Sequence, residues 1–500
     1  MKLHMNKQKV AFKISLLFAF FCGTIVFSQK KSKGFKLTEA NVRAMQATGF
    51  VRCATVEYEK KLSEENSNKV SEEVFESWMS TKVAQLKKSR ANGRMAAQVY
   101  TIPVVIHIVH NGDEINTLGN AKGENISDAQ ARSQIDILNQ DYRRVAGTPG
   151  GVNSTGKAVD IEINFVLAKQ DPDGLETTGI IRHEIIPYTD EVSNPPAGFG
   201  SLGDGGADWE SYADVQKMKR ETQWDPTKYL NIWTIRMGGE TLEDDGLSDL
   251  LGFAQFPSNS GLQGIDVIGG SAATDGVVIS FHAFGAWSKR EINPENKHSF
   301  IMNNRYNEGR TTTHEIGHWL GLRHIWGDTD TCGNDDYCLD TPNATEEHYS
   351  CDQTYDTCTN DGLGNDMVEN YMDYTIDGCM DTFTQNQKDR MLTVLNNSPR
   401  RVDLLNSPAL NMPLYGSDQL KDFVVDPNPF TDVVKVIGMA EGLVKLSVYD
   451  AYGKEMYTEN FYDVKRVFSK ELDFNHLASG IYIVLIQNEE KRIVKKIIKQ

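Results

Sequence analysis

His314-Glu315-Ile316-Gly317-His318-Trp319-Leu320-Gly321-Leu322-Arg323-His324 constrains this chain more than any other stretch. On a helix His314 and His318 lie one turn apart on one face, so both imidazoles can reach a single ion. Gly321 can take the positive φ that ends the helix, and the turn that follows brings in His324 as a third ligand. Three neutral imidazoles leave the fourth tetrahedral position of one zinc ion to water, which is the layout of a catalytic site rather than a structural one. Glu315 follows the first ligand, where its carboxylate can take a proton from that water and pass it to a leaving group. Two histidines at this spacing are often satisfied helix residues with no metal. A structural histidine cluster, however, needs neither the acid, the glycine nor the third histidine.

A methionine downstream completes the pattern. Asn370-Tyr371-Met372-Asp373-Tyr374 places Met372 as a soft floor under the imidazoles. The Tyr374 phenol is then a candidate donor to a developing oxyanion. In these segments the chain resembles the pappalysin family of metzincin metalloproteases. Asp340-Thr341-Pro342, Cys379-Met380, Phe383-Thr384-Gln385 with Arg390-Met391, and Ile102-Pro103-Val104-Val105-Ile106-His107 carry the resemblance further, over about residues 98–400. It implies an α/β (α+β) metzincin-like domain with a mixed twisted sheet and a zinc helix, and hydrolysis of peptide bonds. It also implies Cys332 paired with Cys358 and Cys351 with Cys379. A preference for Arg or Lys after the scissile bond would be set by acid near the Met-turn, for which Asp377 is the candidate.

Five hundred residues are too many for one core and indicate about three units. A net charge of −17 argues against nucleic acid as a partner, because phosphate binding needs clustered cations. Lys2, Lys7, Lys9 and Lys13 precede an apolar run from Ile14 to Phe27, which reads as an export signal over 1–28 with a cut near Ser28-Gln29. No other run approaches spanning length, so no membrane span is expected in the mature form. Of the seven cysteines, Cys332, Cys338, Cys351, Cys358 and Cys379 crowd into the loops after the histidine motif. In an exported chain this reads as disulfides, whose connectivity spacing alone leaves open.

Residues 29–95 are polar, Lys- and Glu-rich and helical in pattern, with a break at Gly49 to Thr55 and a basic end at Lys87 to Arg94. Within the break, Arg52-Cys53-Ala54-Thr55 matches a motif of the resembled family. That match implies a propeptide in which Cys53 occupies the open zinc position and keeps the enzyme latent. Arg90 and Arg94 offer a self-cleavage site. The catalytic domain, 96–408, opens with an apolar strand at Tyr100 to Val109. A Ser127-capped helix from Asp128, an alternating strand at Ile161 to Leu167 and a strand at Tyr229 to Ile235 follow. Gly276 to Phe284 is read as a further strand and as the edge that would pair with substrate. His107, His110, His183 and His282 are read as core or surface residues rather than ligands.

Between the motif and the Met-turn, Asp335, Asp336, Asp340 and Thr341 offer hard oxygens for a structural calcium, which the resemblance also implies. After a linker at 409–424, residues 425–500 carry short alternating strands and turn signals, hence a small β-sandwich. Val425-Asp426-Pro427-Asn428-Pro429-Phe430, the turn at Ala451 to Lys454, Ser479-Gly480-Ile481-Tyr482 and the basic Lys495-Lys496 resemble the C-terminal sorting domain that type IX secretion machinery recognises. The expectation is therefore a zinc endopeptidase made as a zymogen, acting on proteins or peptides. It would be secreted or held at the surface of a Bacteroidetes-type bacterium after passing its periplasm. An inactive adhesin on the same scaffold is the competing reading, and it has no use for Glu315 or for a latency segment. Self-association is left undetermined.

Overall fold

The computed structural model describes residues 37–500 except 67–68, 93–97, 118–122, 154, 185–201, 204–205, 208–211, 239–246, 258–269, 290–299, 334–335, 412–419 and 489–490. The expected export signal, Arg94 and Asp335 lie outside the described residues. A six-stranded sheet organises the central region around β1 (Tyr100–His110). That strand is buried along almost its whole length, as expected of an apolar run packed on both faces in a parallel sheet. β2 (Ile163–Leu167) and β3 (Ile180–Glu184) pair with it in succession, and β4 (Leu230–Ile235) takes its other side, all in parallel.

The sheet continues through β6 (Val277–Ser280), parallel to β4, and ends at β5 (Gly252–Ala254), which is antiparallel to β6. The expected edge at 276–284 is therefore corrected: β6 is an interior strand, only four residues long, and a 3₁₀ turn at Phe281–Ala283 ends it. Its apolar run, buried at every position, is the mark of a strand covered on both sides. The exposed-edge role falls to β5 instead.

Three helices of the N-terminal segment, α1 (Glu39–Thr48), α2 (Thr55–Glu65) and α3 (Glu72–Ala91), lie against this body. Thr38 caps α1, and Gly49 closes it at φ 79°, where a side chain would be strained. α4 (Asp128–Arg143) packs its buried face, including Ala131, Ile135 and Leu138, on the sheet, with Ser127 Oγ accepting from the Gln130 amide. α5 (Arg310–Trp319) carries the histidine motif and is buried on every side. α6 (Gln385–Asn397) starts in a capping box between Thr384 and Gln387. Disulfides join Cys332 to Cys358 and Cys351 to Cys379, whereas Cys53 and Cys338 are buried free thiols.

The loops between α5 and α6 are held by a charged core. His348 donates to Asp373 at 2.8 Å and to Asp366 at 3.0 Å, and all three side chains are buried. Burial opposes a charge on the ring, but the two carboxylates outweigh it and push its pKa from 6.5 up to about 10. A value raised on folding means stability that is complete below about pH 6.5 and is lost as pH rises through about 10. The melting temperature of the wild type should therefore fall more steeply between those limits than that of His348→Gln. Parallel curves for the two proteins would remove the triad as the cause.

The C-terminal residues form a five-stranded antiparallel sheet, β7 (Lys421–Asp426), β8 (Val433–Asp450), β9 (Glu455–Asp473), β10 (Gly480–Gln487) and β11 (Arg492–Lys499), around its own apolar core. A register shift between Gly442 and Val444 interrupts the long β8–β9 ladder.

Candidate metal centre

The zinc-type motif folds as its spacing dictates. Gly309, at φ 76°, starts α5, and Gly321, at φ 88°, turns the chain after it so that His324 returns to His314 and His318. The three Nε2 atoms stand 3.1–3.2 Å apart. Each Nδ1 already donates elsewhere: His314 to the Tyr371 carbonyl at 2.8 Å, His318 to the Leu322 carbonyl at 2.8 Å, His324 to the Asp328 carboxylate at 2.6 Å. A carbonyl or carboxylate can only accept, so each proton is fixed on Nδ1 and each Nε2 presents a lone pair. Three buried lone pairs facing one another repel unless a cation sits among them.

The donor set fits zinc. A tetrahedral ion with bonds of about 2.0–2.1 Å separates its ligands by about 3.3 Å, close to the spacing here. Burial, then the neighbouring imidazoles, push the His314 pKa well below 6.5. Burial and His324 do the same to His318. Neutral imidazole is the state that ligates a metal. With Cys53 Sγ the donor atoms lie within 4.8 Å of one another. Among the described residues no other group of three or more His, Cys, Asp or Glu converges in this way.

Met372 lies under α5: a Cβ on Gly317 would collide with the Met372 sulfur, so the unspecified position of the motif is held to glycine by the Met-turn. The turn is closed by Asn370 Oδ1 accepting from the Met372 amide, and the neighbouring Tyr371 carbonyl is the partner of His314. The Tyr374 ring is 4.9 Å from that of His324, and its hydroxyl donates to the Cys53 carbonyl at 3.2 Å. Glu315 is fully buried, and burial raises its pKa to about 7. Its Oε2 accepts from Thr55 Oγ1 at 2.8 Å and lies 3.4 Å from Cys53 Sγ, whereas its Oε1 has no hydrogen-bond partner among the described residues.

The N-terminal segment enters this site as an added strand. Val51 pairs in parallel with Leu250; the Val51 amide donates to Asp249 O at 2.8 Å, Leu251 N to Val51 O at 3.0 Å, and Ala54 N to Gly252 O at 3.0 Å. Cys53 is carried onto the histidines, with its thiol pKa pushed well up by burial and then by Glu315. Arg52 reaches Asp377 at 2.9 Å, both side chains buried, and stacks 4.4 Å over Tyr306. Asp377 also accepts from the Glu308 and Arg310 amides.

Sequence reasoning missed Asp328 as the partner of His324, Thr55 as the partner of Glu315, and Arg52 as the partner of Asp377. Only the first left a sequence trace, an acid four residues beyond the third histidine. The expected calcium groups that are described make hydrogen bonds within the protein. Thr341 Oγ1 donates to Asp336, and Asp340 accepts from Thr384 Oγ1 and the Asn386 amide. Burial pushes the Asp336 carboxyl up to about 7.

Residues 288–396 match the family model described as pregnancy-associated plasma protein-A, a peptidase family, and residues 424–500 match the secretion-system C-terminal sorting domain. Mature mirolysin of Tannerella forsythia, solved with a cleaved peptide, is 34% identical over 62% of this chain and 96% of its own, with a TM-score of 0.45. The chain belongs to the pappalysin family. An extracellular metalloprotease of Colletotrichum graminicola is 28% identical over 62% of this chain and 84% of its own length. One of Arthroderma benhamiae is 30% identical over 37% of this chain and 57% of its own. This pappalysin is thus a zinc metalloendopeptidase of peptide substrates, and its sorting domain marks it for export by type IX secretion, the Bacteroidetes route. No helix among the described residues is long and apolar enough to cross a membrane.

Proposed function

We propose that His314, His318 and His324 hold the catalytic zinc, that Glu315 is the general base and acid, and that residues 29–95 are a propeptide whose Cys53 takes the remaining zinc position. The observation that carries this reading is the convergence of three Nε2 lone pairs, each fixed by a proton donated from the other ring nitrogen. Zinc bound there supplies Lewis acidity to a carbonyl oxygen and lowers the pKa of water. Glu315, buried beside the ligands, takes the proton of the attacking water on a carboxylate oxygen and delivers it to the leaving amine. Tyr374 already donates to one carbonyl in the cleft, that of Cys53, and would donate likewise to the scissile carbonyl as charge develops on its oxygen. Met372 is the floor that fixes α5.

Latency follows from the same contacts. The segment from Val51 to Ala54 fills the edge of β5, where an extended substrate would pair, and Thr55 blocks Glu315. Arg52 in the cleft is paired with Asp377, which supports a preference for Arg or Lys after the scissile bond. Activation then needs a cut near the end of α3. Because α3 runs through Ala91 and pairs Arg90 with Asp389, the bonds at Arg90 are held in the helix.

The module boundaries proposed are 1–28, 29–95, 96–408, a linker at 409–424, and 425–500. A structural calcium in 327–364 belongs to the same reading. It is supported by the loop's density of hard oxygens, those of Asp336, Asp340 and Thr341 among them. The test is casein hydrolysis by the activated enzyme before and after a zinc chelator. Activity should vanish and return with added zinc; hydrolysis that persists in a protein shown to be metal-free would end the reading.

A further inference from the structure

Among the contacts of α3 with the enzyme body, one acid is buried. Glu76 is 6% exposed, and both of its oxygens are taken by arginines of the body. Arg390 binds it in a fork, at 2.7 Å and 2.9 Å, and Arg323 Nε donates at 3.0 Å. Burial pushes the Glu76 pKa up, but the two guanidiniums outweigh it and hold the carboxyl below its ordinary range. Aromatic rings frame the pair: Arg323 lies 5.2 Å over Phe256, and Arg390 lies 5.6 Å over Tyr337. Phe75, beside the acid, packs edge-on against Phe256 at 5.3 Å.

Among the described residues, every carboxylate ion-paired with Arg323 or Arg390 belongs to α3, namely Glu72 and Glu76. Asp336 is close enough to feel Arg390, but its oxygens accept from Thr341 and the Cys338 amide. When α3 leaves, the body keeps two guanidiniums, one of them 3% exposed in the intact chain, without the carboxylates that ion-pair with them among the described residues. A buried charge stripped of its partner is costly, so the vacated place favours another anion. A cavity of about 410 Å³ runs from His318 past Leu322 to Arg323, Phe256 and Phe75, so the Arg323 side of this place opens toward the metal centre.

We propose that Arg323 and Arg390, framed by Phe256 and Tyr337, form a subsite of the activated enzyme for an acidic side chain of a peptide substrate. Glu76 fills it in the precursor as a surrogate ligand. The preferred substrate carries an aromatic or large apolar residue next to the acid, as Phe75 stands next to Glu76. The proposal rests on the peptidase reading and specifies its substrate.

The experiment uses enzyme activated from the full chain and peptides that share one scissile bond. A single Glu, with a neighbouring Phe, is moved through the flanking positions, and each peptide has a Gln counterpart. At one position kcat/KM for Glu should exceed that for Gln by about tenfold, the scale of a charge-assisted forked contact. In Arg323→Gln the ratio at that position should fall close to one, a comparison within one enzyme that any general loss of activity leaves intact. Failure to cut any peptide would overturn the peptidase reading itself. Cleavage of the Gln series with no advantage for Glu anywhere, or a Glu preference that survives Arg323→Gln, would overturn the subsite alone.

Discussion

Glu315→Gln in the activated enzyme should lower kcat/KM for peptide hydrolysis by about 10²–10⁴-fold, the range that a positioned general acid–base contributes. The substitution keeps size and shape, so the packing around Gly252 and the three Nδ1 contacts that orient the imidazoles are undisturbed. Zinc content of the purified variant should match the wild type, because Glu315 is not one of the converging ligand atoms. The loss should lie in kcat rather than KM, since the carboxylate acts on the proton in flight rather than on the resting peptide. A variant that retains zinc and cleaves within a few-fold of the wild type would rule out Glu315 as the base.

Legibility in the sequence tracked how local each determinant was. Two histidines at i and i+4, and a glycine that must take φ 88°, are properties of one helix and its end, so the motif could be read directly. Tyr100–His110 was legible for a similar reason: a run of β-branched residues longer than a turn has few homes other than a buried strand. The edge of the sheet was not legible. Gly252–Ala254 is three residues long and carries no periodic signal, whereas the richer apolar run at Val277–Ser280 turns out to be interior. Strand order is decided by pairings far apart in the chain, which one sequence does not display.

The same holds for the site's partners. Arg52 was noticed within its motif, but Asp377 is 325 residues away, and only the fold brings them together. Glu76 looked like one more charge on a polar helix, since nothing local distinguishes it from Glu72 or Glu73. Asp336 and Asp340 looked like cation ligands because composition records oxygens and not their partners; in the fold the hydroxyls of Thr341 and Thr384 and nearby amides donate to them. The disulfide connectivity came from the resemblance, since four cysteines are compatible with three pairings on spacing alone.

Arg52→Met in the full chain should release the propeptide. The Arg52–Asp377 pair is almost wholly buried, at 1% and 0% side-chain exposure, and removing one partner of such a pair costs about 3–5 kcal/mol. That shifts the docking equilibrium of the segment from Val51 to Thr55 by about 10²–10⁴-fold toward the open state. Methionine retains the unbranched length of the side chain but removes the charge and the guanidinium that lies over Tyr306. The measurement is best made in a Glu315→Gln, Cys338→Ser background, where the chain cannot process itself and Cys53 is the remaining free buried thiol among the described residues. Cys53 is fully buried at the bottom of the docked segment, so alkylation reports the open fraction, and its rate should rise by about two to four orders of magnitude. Removing the acid as well supplies the control. With Asp377→Asn in the background, Arg52→Met should add little, because the interaction it removes is already gone. If Cys53 reacts equally slowly with and without Arg52, the ion pair does not hold the segment, and latency must rest on the strand pairing at Val51 and Ala54 and on the thiol itself.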